Sequence, residues 1–553
     1  MTRKITYPLA VLAVAALCLF LFLGTRGLND PDEGRFAEVS REMALQESWL
    51  MPHLCGLHHL QKPPMVYWIT AAFIRIGGVN EWSVRTTSAL AALGTVMTTM
   101  ILASLLFGSS IAWKAGMMLL SSLLFFFMGR VITTDMLLTF WISAAVTSFV
   151  YYSRKSSIAG LCLFYLALGA GFLTKGPMAF LVPYAAAIPY AFALGRRHKA
   201  PAWRWHWMPG LLVAAAIGMS WFILLARQHP GLVDYFIKYE FVDRLATNTH
   251  ARAKPVWFYS ACLLCGLFPW SVLFPTMFRH LWVSLRGGRS ANMWLFIGWI
   301  VIPWCILHLV VSKLTTYILP LCPPFAVLLA YVWDRHKSRF RMEIGLLSLF
   351  MAFVAAGIPV VYDYLQRNNP DAEAIRGWSL IVILLNAAGW VAVYLGSRSR
   401  LSKDAQMLAV AAMTLVFMLT LSWRADTLLT GRNAGKQRIV QAIRDTQSET
   451  GADTVLLLSG RHYSLDFYLQ TNIWRRLGSV DLCMPIPEDL EYRFLANPVG
   501  YVKKNQPTNM VVVINKDIAS EQALLNLNWR KVLKYKQISV FAPARVPPQA
   551  TSP

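Results

Sequence analysis

Apolar runs of about twenty residues, repeated from one end of the chain almost to the other, limit its fold more than any other feature. Runs bounded by charge or turn residues fall near 6–24, 84–107, 110–128, 132–150, 158–174, 177–195, 208–226, 257–277, 291–311, 316–333, 343–362, 378–396 and 406–423. A helix needs about 20 residues to cross a hydrocarbon core of about 30 Å, and it satisfies its backbone polar groups internally. Thirteen such runs, with no period-two alternation of a barrel, predict a mostly α polytopic membrane protein. A mean hydropathy of +0.46 excludes an ordinary soluble fold. The stretch 65–78, MVYWITAAFIRIGG, is shorter, follows Pro63 and Pro64, and ends in Gly77 and Gly78, which predicts an interfacial helix rather than a span.

Charge sets the orientation. The net charge is +24, and with the N terminus inside, the cytoplasmic connections carry about nineteen Lys and Arg against one or two acids. The N terminus is therefore expected in the cytoplasm and the C-terminal region outside. The basic excess suits anionic lipid head groups, and no nucleic-acid partner is expected. Of eight cysteines only Cys55 and Cys483 lie in polar surroundings, and the Cys262 and Cys265 pair sits in an apolar run, where it reads as packing.

The polar residues that a membrane chain avoids gather on the outward connections. In 29–64, NDPDEGRFAEVSREMALQESWLMPHLCGLHHLQKPP, a short helix is predicted from the acids onward, with Phe36, Val39 and Met43 on its apolar face. Asp30 reads as a helix cap. Asp32, beside Glu33 and Arg35, either caps, pairs, binds metal or does chemistry, because acids crowded at an apolar boundary are costly otherwise. Lys62, stiffened by two prolines, is either a fixed point charge for a phosphate or a lysine snorkelling to the surface. The adjacent His58 and His59 are the metal candidates, without the partner spacing of a known site, and no cofactor motif is present. Asp135 follows a short turn at the lip of a span and is a functional acid or a helix cap. Lys175 in FLTKGP marks a bend or faces an anion. Arg244, Arg252, Lys254, Lys313 and Tyr317 repeat the theme on later connections, and together these groups could cradle a phosphate head group.

From about 425 the composition changes. An amphipathic helix, a strand at 454–458, a helix near Ser464, a strand at 510–515, a helix over ASEQALLNL and a strand over KQISVFAP predict a small α/β domain, 425–553, following a catalytic membrane domain, 1–424, whose first outer loop is 25–83.

PDEGRFAEVSREM followed by QKPPMVYW resembles the first outer loop of lipid-linked-sugar glycosyltransferases of the membrane-embedded type-C fold, most closely the aminoarabinose transferases that modify lipid A. SKLTTYILP and the FVDR to KPVWFY segment are similar to later motifs of that family. Gln61 departs from the glutamate expected before the lysine. The resemblance implies transfer of 4-amino-4-deoxy-L-arabinose from undecaprenyl phosphate to lipid A phosphates at the periplasmic face of a bacterial inner membrane. Asp32, Asp135 and Lys62 are then the catalytic candidates, and Arg35, Glu33, Lys175, Arg244, Lys254 and Tyr317 the substrate-binding ones. A related transferase with another sugar or acceptor is the neighbouring reading, and a lipid or solute transporter is the reading from another class.

Overall fold

The computed structural model describes residues 2–195, 207–229, 254–286, 291–335, 343–354, 357, 376–398, 402–423, 436–470, 472–477, 486, 488–515, 517–535 and 538–543. The chain packs into two compact units. One comprises Met1–Thr25, Lys62–Ile69 and Arg85–Leu428, and the other Arg26–Gln61, Thr70–Val84 and Leu429–Pro553.

The helices of the first unit follow the apolar runs. They are α1 (Thr2–Phe20), then, after the loop helices α2 (Asp32–Gln46) and α3 (Met65–Gly77), α4 (Glu81–Phe107), α5 (Ser109–Leu120), α6 (Leu123–Met128), α7 (Thr134–Lys155), α8 (Ile158–Lys175), α9 (Met178–Gly195) and α10 (Trp207–Gln228). There follow α11 (Phe258–Gly266), α12 (Phe274–Arg286), α13 (Ala291–Leu309), α14 (Cys322–Arg335), α15 (Glu343–Val354), α16 (Arg376–Arg398) and α17 (Lys403–Trp423). Among the described residues eight helices are long and apolar enough to cross a membrane, or nine when the bent pair at 258–284 is taken as one span.

Two runs depart from the straight spans expected of them. The 110–128 run breaks between α5 and α6, where Ser121 and Ser122 turn their hydroxyls back to the carbonyls of Met117 and Met118 at 2.6 and 2.7 Å. Such back-bonding competes with the helix ladder. The 257–277 run bends by 107° around the Phe268–Pro269 step. Proline has no N–H to continue the ladder and its ring crowds the preceding turn, so α11 stops before it.

The end of α1 is held by two buried arginines. Arg130 donates to the carbonyl oxygens of Cys18, Leu19 and Leu21 at 2.6, 3.0 and 2.6 Å, and Arg85 donates to that of Leu23 at 2.9 Å. The last carbonyls of a helix lack internal partners and carry partial negative charge, so a guanidinium there satisfies both needs.

The second unit is built on a six-stranded sheet of order β5-β4-β3-β6-β8-β7, with β3 (Thr454–Leu457), β4 (Asn472–Arg476), β5 (Phe494–Leu495), β6 (Met510–Asn515), β7 (Arg530–Tyr535) and β8 (Ile538–Ala542). β3 runs parallel to both neighbours, with Val455 opposite Ile473 on one side and Val511 on the other, whereas β8 returns antiparallel. Alternation buries both faces. Val455, Leu457, Val511 and Val513 pack against Ile439 and Ile443 of α18 (Lys436–Thr450), with Leu465 of α19 (Tyr463–Leu469) in the same cluster. Leu456, Val512 and Ile514 pack on the opposite side against Val502 of α20 (Pro498–Asn505) and Leu524 of α21 (Ile518–Asn526). The loop 26–61 adds the hairpin β1 (His53–Leu54) and β2 (Leu57–His58). Its two-residue turn is Cys55-Gly56, at φ +58° and +80°, the left-handed pair that a tight hairpin needs.

Arg130→Met takes the guanidinium from three carbonyls at the end of α1, two of them buried, and is expected to lower stability by about 2–4 kcal/mol. Thermal unfolding of the detergent-solubilised protein checks this, and an unchanged midpoint would remove the arginine from its anchoring role.

Candidate active site

Three residues flagged in separate connections meet in the first unit. Asp135 lies in the first turn of α7, Lys175 is the last residue of α8, and Tyr317 belongs to a 3-10 turn over Thr315–Leu321. The Lys175 ammonium is ion-paired with the Asp135 carboxylate and lies over the Tyr317 ring, 4.4 Å from its centroid. Thr133 occupies the cap position of α7 with no side-chain cap bond, and Asp135 directs its carboxylate to Lys175. At Lys175 the helix ends because Gly176 takes φ +79° and Pro177 follows, so this lysine both marks a bend and meets an anion. Trp299 steadies the tyrosine-bearing turn by donating its indole N–H to the Pro320 carbonyl at 3.1 Å.

Close by in sequence, Lys313 is buried and donates to the Lys254 carbonyl at 3.4 Å, while the side chain of Lys254 is exposed. Lys62 is half-buried at the start of the Pro63-Pro64 step. Arg244 and Arg252 lie outside the described residues.

The remaining sequence candidates belong to the second unit. Asp32 is exposed at the start of α2 and pairs with Arg35 at 2.8 Å, one turn on. Arg35 also covers the Phe36 ring at 5.7 Å. Glu33, expected among the substrate ligands, is buried. It pairs with Arg26 at 3.2 Å and accepts the Asn29 N–H at 2.9 Å, the reach-back of a helix-start carboxylate. Asp30, expected as a cap, does not serve as one: Pro31 holds that position without a side-chain bond, and Asp30 turns to Lys436 and Ser464. The His58 ring lies 4.8 Å from that of His53 across the hairpin, tilted by 42°, and His59 is buried. Among the described residues no group of three His, Cys, Asp or Glu side chains has the arrangement of a metal site.

Sequence reasoning missed how α2 is held. The apolar face, Phe36, Val39 and Met43, is buried as expected, but so are the acids Glu38 and Glu42, with Arg41 half-buried between them. Arg41 grips Glu38 with two parallel bonds of 2.8 and 2.7 Å, and both oxygens of Glu42 accept the Gly56 N–H at 3.1 and 3.2 Å. Burial, and then the neighbouring Glu38 charge, hold the Glu42 carboxyl well above the usual carboxylate range; burial also raises Glu38. The neighbouring Glu38 thus opposes ionisation of Glu42, while Arg41 favours it in both acids.

The dolichyl-phosphate-mannose-protein mannosyltransferase family matches residues 61–223. The crystal structure of ArnT from Cupriavidus metallidurans bound to undecaprenyl phosphate superposes with a TM-score of 0.79 at 24% identity, covering 97% of this chain and 98% of that one. The fold is that of a polytopic membrane glycosyltransferase. An undecaprenyl phosphate-alpha-4-amino-4-deoxy-L-arabinose arabinosyl transferase from Aeromonas salmonicida is 30% identical over 384 residues, 68% of this chain and 69% of the relative. Another of that name from Shewanella sediminis is 28% identical over 431 residues, 76% and 77% of the two chains. The chain belongs to the undecaprenyl phosphate-alpha-4-amino-4-deoxy-L-arabinose arabinosyl transferase family.

Two measurements test these geometries. In a double-mutant cycle on stability, Asp135→Asn and Lys175→Met are expected to couple by about 1–3 kcal/mol, since either alone strands a charge; additive effects would deny the pair. For Glu42, the folded pKa lies above the unfolded one, so the native state binds the extra proton. Stability then falls as pH rises from the ordinary glutamate value of about 4.3 through the raised one. Glu42→Gln is expected to flatten that decline in unfolding midpoints followed upward from about pH 4.3, and an unchanged slope would refute the raised carboxyl.

Proposed function

We propose that this protein transfers 4-amino-4-deoxy-L-arabinose from undecaprenyl phosphate to phosphate groups of lipid A at the periplasmic face of the bacterial inner membrane. The observation that carries the reading is the meeting of Asp135, Lys175 and Tyr317 in a chain of this family. An oxygen of the acceptor phosphate attacks the anomeric carbon. The bond from that carbon to the polyprenyl phosphate oxygen breaks, and its electron pair leaves with the phosphate. Positive charge develops on the sugar and negative charge on the leaving group, so fixed cations are needed at the phosphate and carboxylates at the sugar.

Lys62, Arg35, Arg244 and Tyr317 are assigned to the departing phosphate, with Lys175 and Lys254 adding to the cationic field. Lys175 is the best placed by geometry, because Asp135 and the tyrosine face fix its ammonium in one position. Asp32 and Asp135 orient the sugar, including its amino group. The acceptor phosphate is already anionic near neutral pH, so Asp32 serves geometry more than proton removal. Attack opposite the leaving oxygen inverts the anomeric centre. Glu33, engaged with Arg26 and Asn29, shapes the helix start that presents Asp32.

Orientation follows from two supports. The basic connections support an N terminus in the cytoplasm. The segments 26–61 and 70–84 share a compact unit with 429–553, which supports one side of the membrane for all three and an even number of crossings between them. The expected runs from 84 to 423 number twelve. On this reading α3 enters and leaves on the same side.

Mass spectrometry of lipid A from cells with and without the gene is expected to show an aminoarabinose increment only with it; a different increment would reassign the sugar. Lys62→Ala and Asp32→Asn, at unchanged expression, are each expected to reduce transfer at least 100-fold, about 2.7 kcal/mol of transition-state stabilisation. Full activity of either variant would discard that residue's role.

A further inference from the structure

The α/β sheet of the second unit has a place where such sheets take ligands, and in this protein it is filled from within. After β3 the chain turns into α19 on one face of the sheet, and after β6 into α21 on the other. β3 and β6 are parallel neighbours, so the strand order reverses between them, and the crevice outside their carboxyl ends is the switch point at which open α/β sheets bind small molecules. Ser459, just past β3, and Asn515, ending β6, close its floor: the Ser459 hydroxyl donates to the Asn515 carbonyl at 2.7 Å and accepts its N–H at 3.0 Å. The Asn515 side chain meets His462 Nε2 at 2.8 Å, which leaves Nδ1 facing Asp30 at 3.4 Å.

Into this crevice projects the carboxylate of Asp30. One oxygen accepts the Ser464 N–H at 3.0 Å, and the other accepts the Ser464 hydroxyl at 2.6 Å and the Lys436 ammonium at 2.5 Å. Lys436 also donates to the Leu28 carbonyl at 2.7 Å, and the side chains of Asp30 and Lys436 are only 4% and 2% exposed. The approach depends on Gly34, one turn into α2. A methyl there would stand 2.1 Å from the Asp30 oxygen and 2.6 Å from the Ser464 nitrogen. Tyr468 extends the seam, accepting the Leu28 N–H at 2.9 Å and donating to Glu81 at 2.8 Å.

We propose that the C-terminal α/β domain is a clamp for the reaction, with Asp30 as a positioning residue that seats the start of α2, and with it Asp32, in the sheet's ligand crevice. The proposal rests on the assignment of Asp32 to substrate given above. Asp30 touches no substrate itself. It fixes the backbone two residues before Asp32, which stands exposed at the first position of α2.

Asp30→Asn and Lys436→Met are made in the full-length enzyme, with undecaprenyl phosphate-aminoarabinose as donor and lipid A as acceptor. Expected are a 10- to 100-fold lower kcat, a KM for donor within twofold, and hydrogen exchange that quickens over 28–46 but not in β3 or β6. Where a variant fails to accumulate, Gly34→Ala serves as an independent wedge with the same expected pattern. Unchanged kcat, or unchanged exchange over 28–46, overturns the clamp, as does loss of protection spread through the whole sheet. Asp32→Asn is run alongside. If that variant is fully active, the assignment of Asp32 to substrate fails, while the exchange measurement still decides whether Asp30 holds the loop.

Discussion

A charge taken out of water has to be met inside the protein, and the placement of ionised groups here follows from that requirement. Arg130 and Arg85 are spent on the carbonyls that end α1. Lys114, buried on α5, meets Asp334 and Asp404 at 2.5 and 3.0 Å and so joins α14 and α17 to α5. Arg475 is fully buried against Asp466 beneath α2. The pairings of Arg130, Arg85 and Lys114 tie together segments far apart in the sequence, in a chain whose apolar helices otherwise make few directional contacts. Apolar packing gives little preference among helix positions within lipid, so it falls to these pairs to set register.

Against that background the Asp135, Lys175 and Tyr317 cluster gains meaning. A lysine and an aspartate at the ends of neighbouring helices satisfy each other, yet the ammonium also lies on a tyrosine face, held where an incoming anion can share it. On the proposed reaction the acceptor arrives charged, so a cation in a fixed position matters more than a base. A mobile lysine would first have to be ordered by the substrate, at the expense of binding.

The membrane helices were legible because their period and length have one physical cause, the thickness of the bilayer. Asp135, Lys175 and Tyr317 were legible for a related reason, being polar residues at the ends of apolar runs. What escaped were features whose partners lie far off along the chain. Glu38, Arg41 and Glu42 look like the solvated side of an amphipathic helix, and nothing nearby reveals that Gly56 and Arg41 compensate the two acids. Asp30 looks like a cap until Lys436 and Ser464 are placed beside it. β4 and β7 were not expected because NIWRR and RKVLKY carry too many cations for a strand signal; Arg475 is tolerated in β4 through Asp466. The hairpin at 53–58 depended on a cysteine in the left-handed region, an uncommon choice for a residue with a Cβ.

The bonds that Asp30 makes to Lys436 and Ser464 close over 406 and 434 residues. During synthesis the amino-terminal acid leaves the ribosome long before either partner exists. Its partners follow more than 400 residues later, so this seam cannot form before the chain has passed residue 464. A chain halted before residue 464 would carry every apolar run through 423 and the whole 26–61 segment, yet it would lack the serine that receives Asp30. Closure of this seam thereby waits until the strands and helices of the second unit have been made.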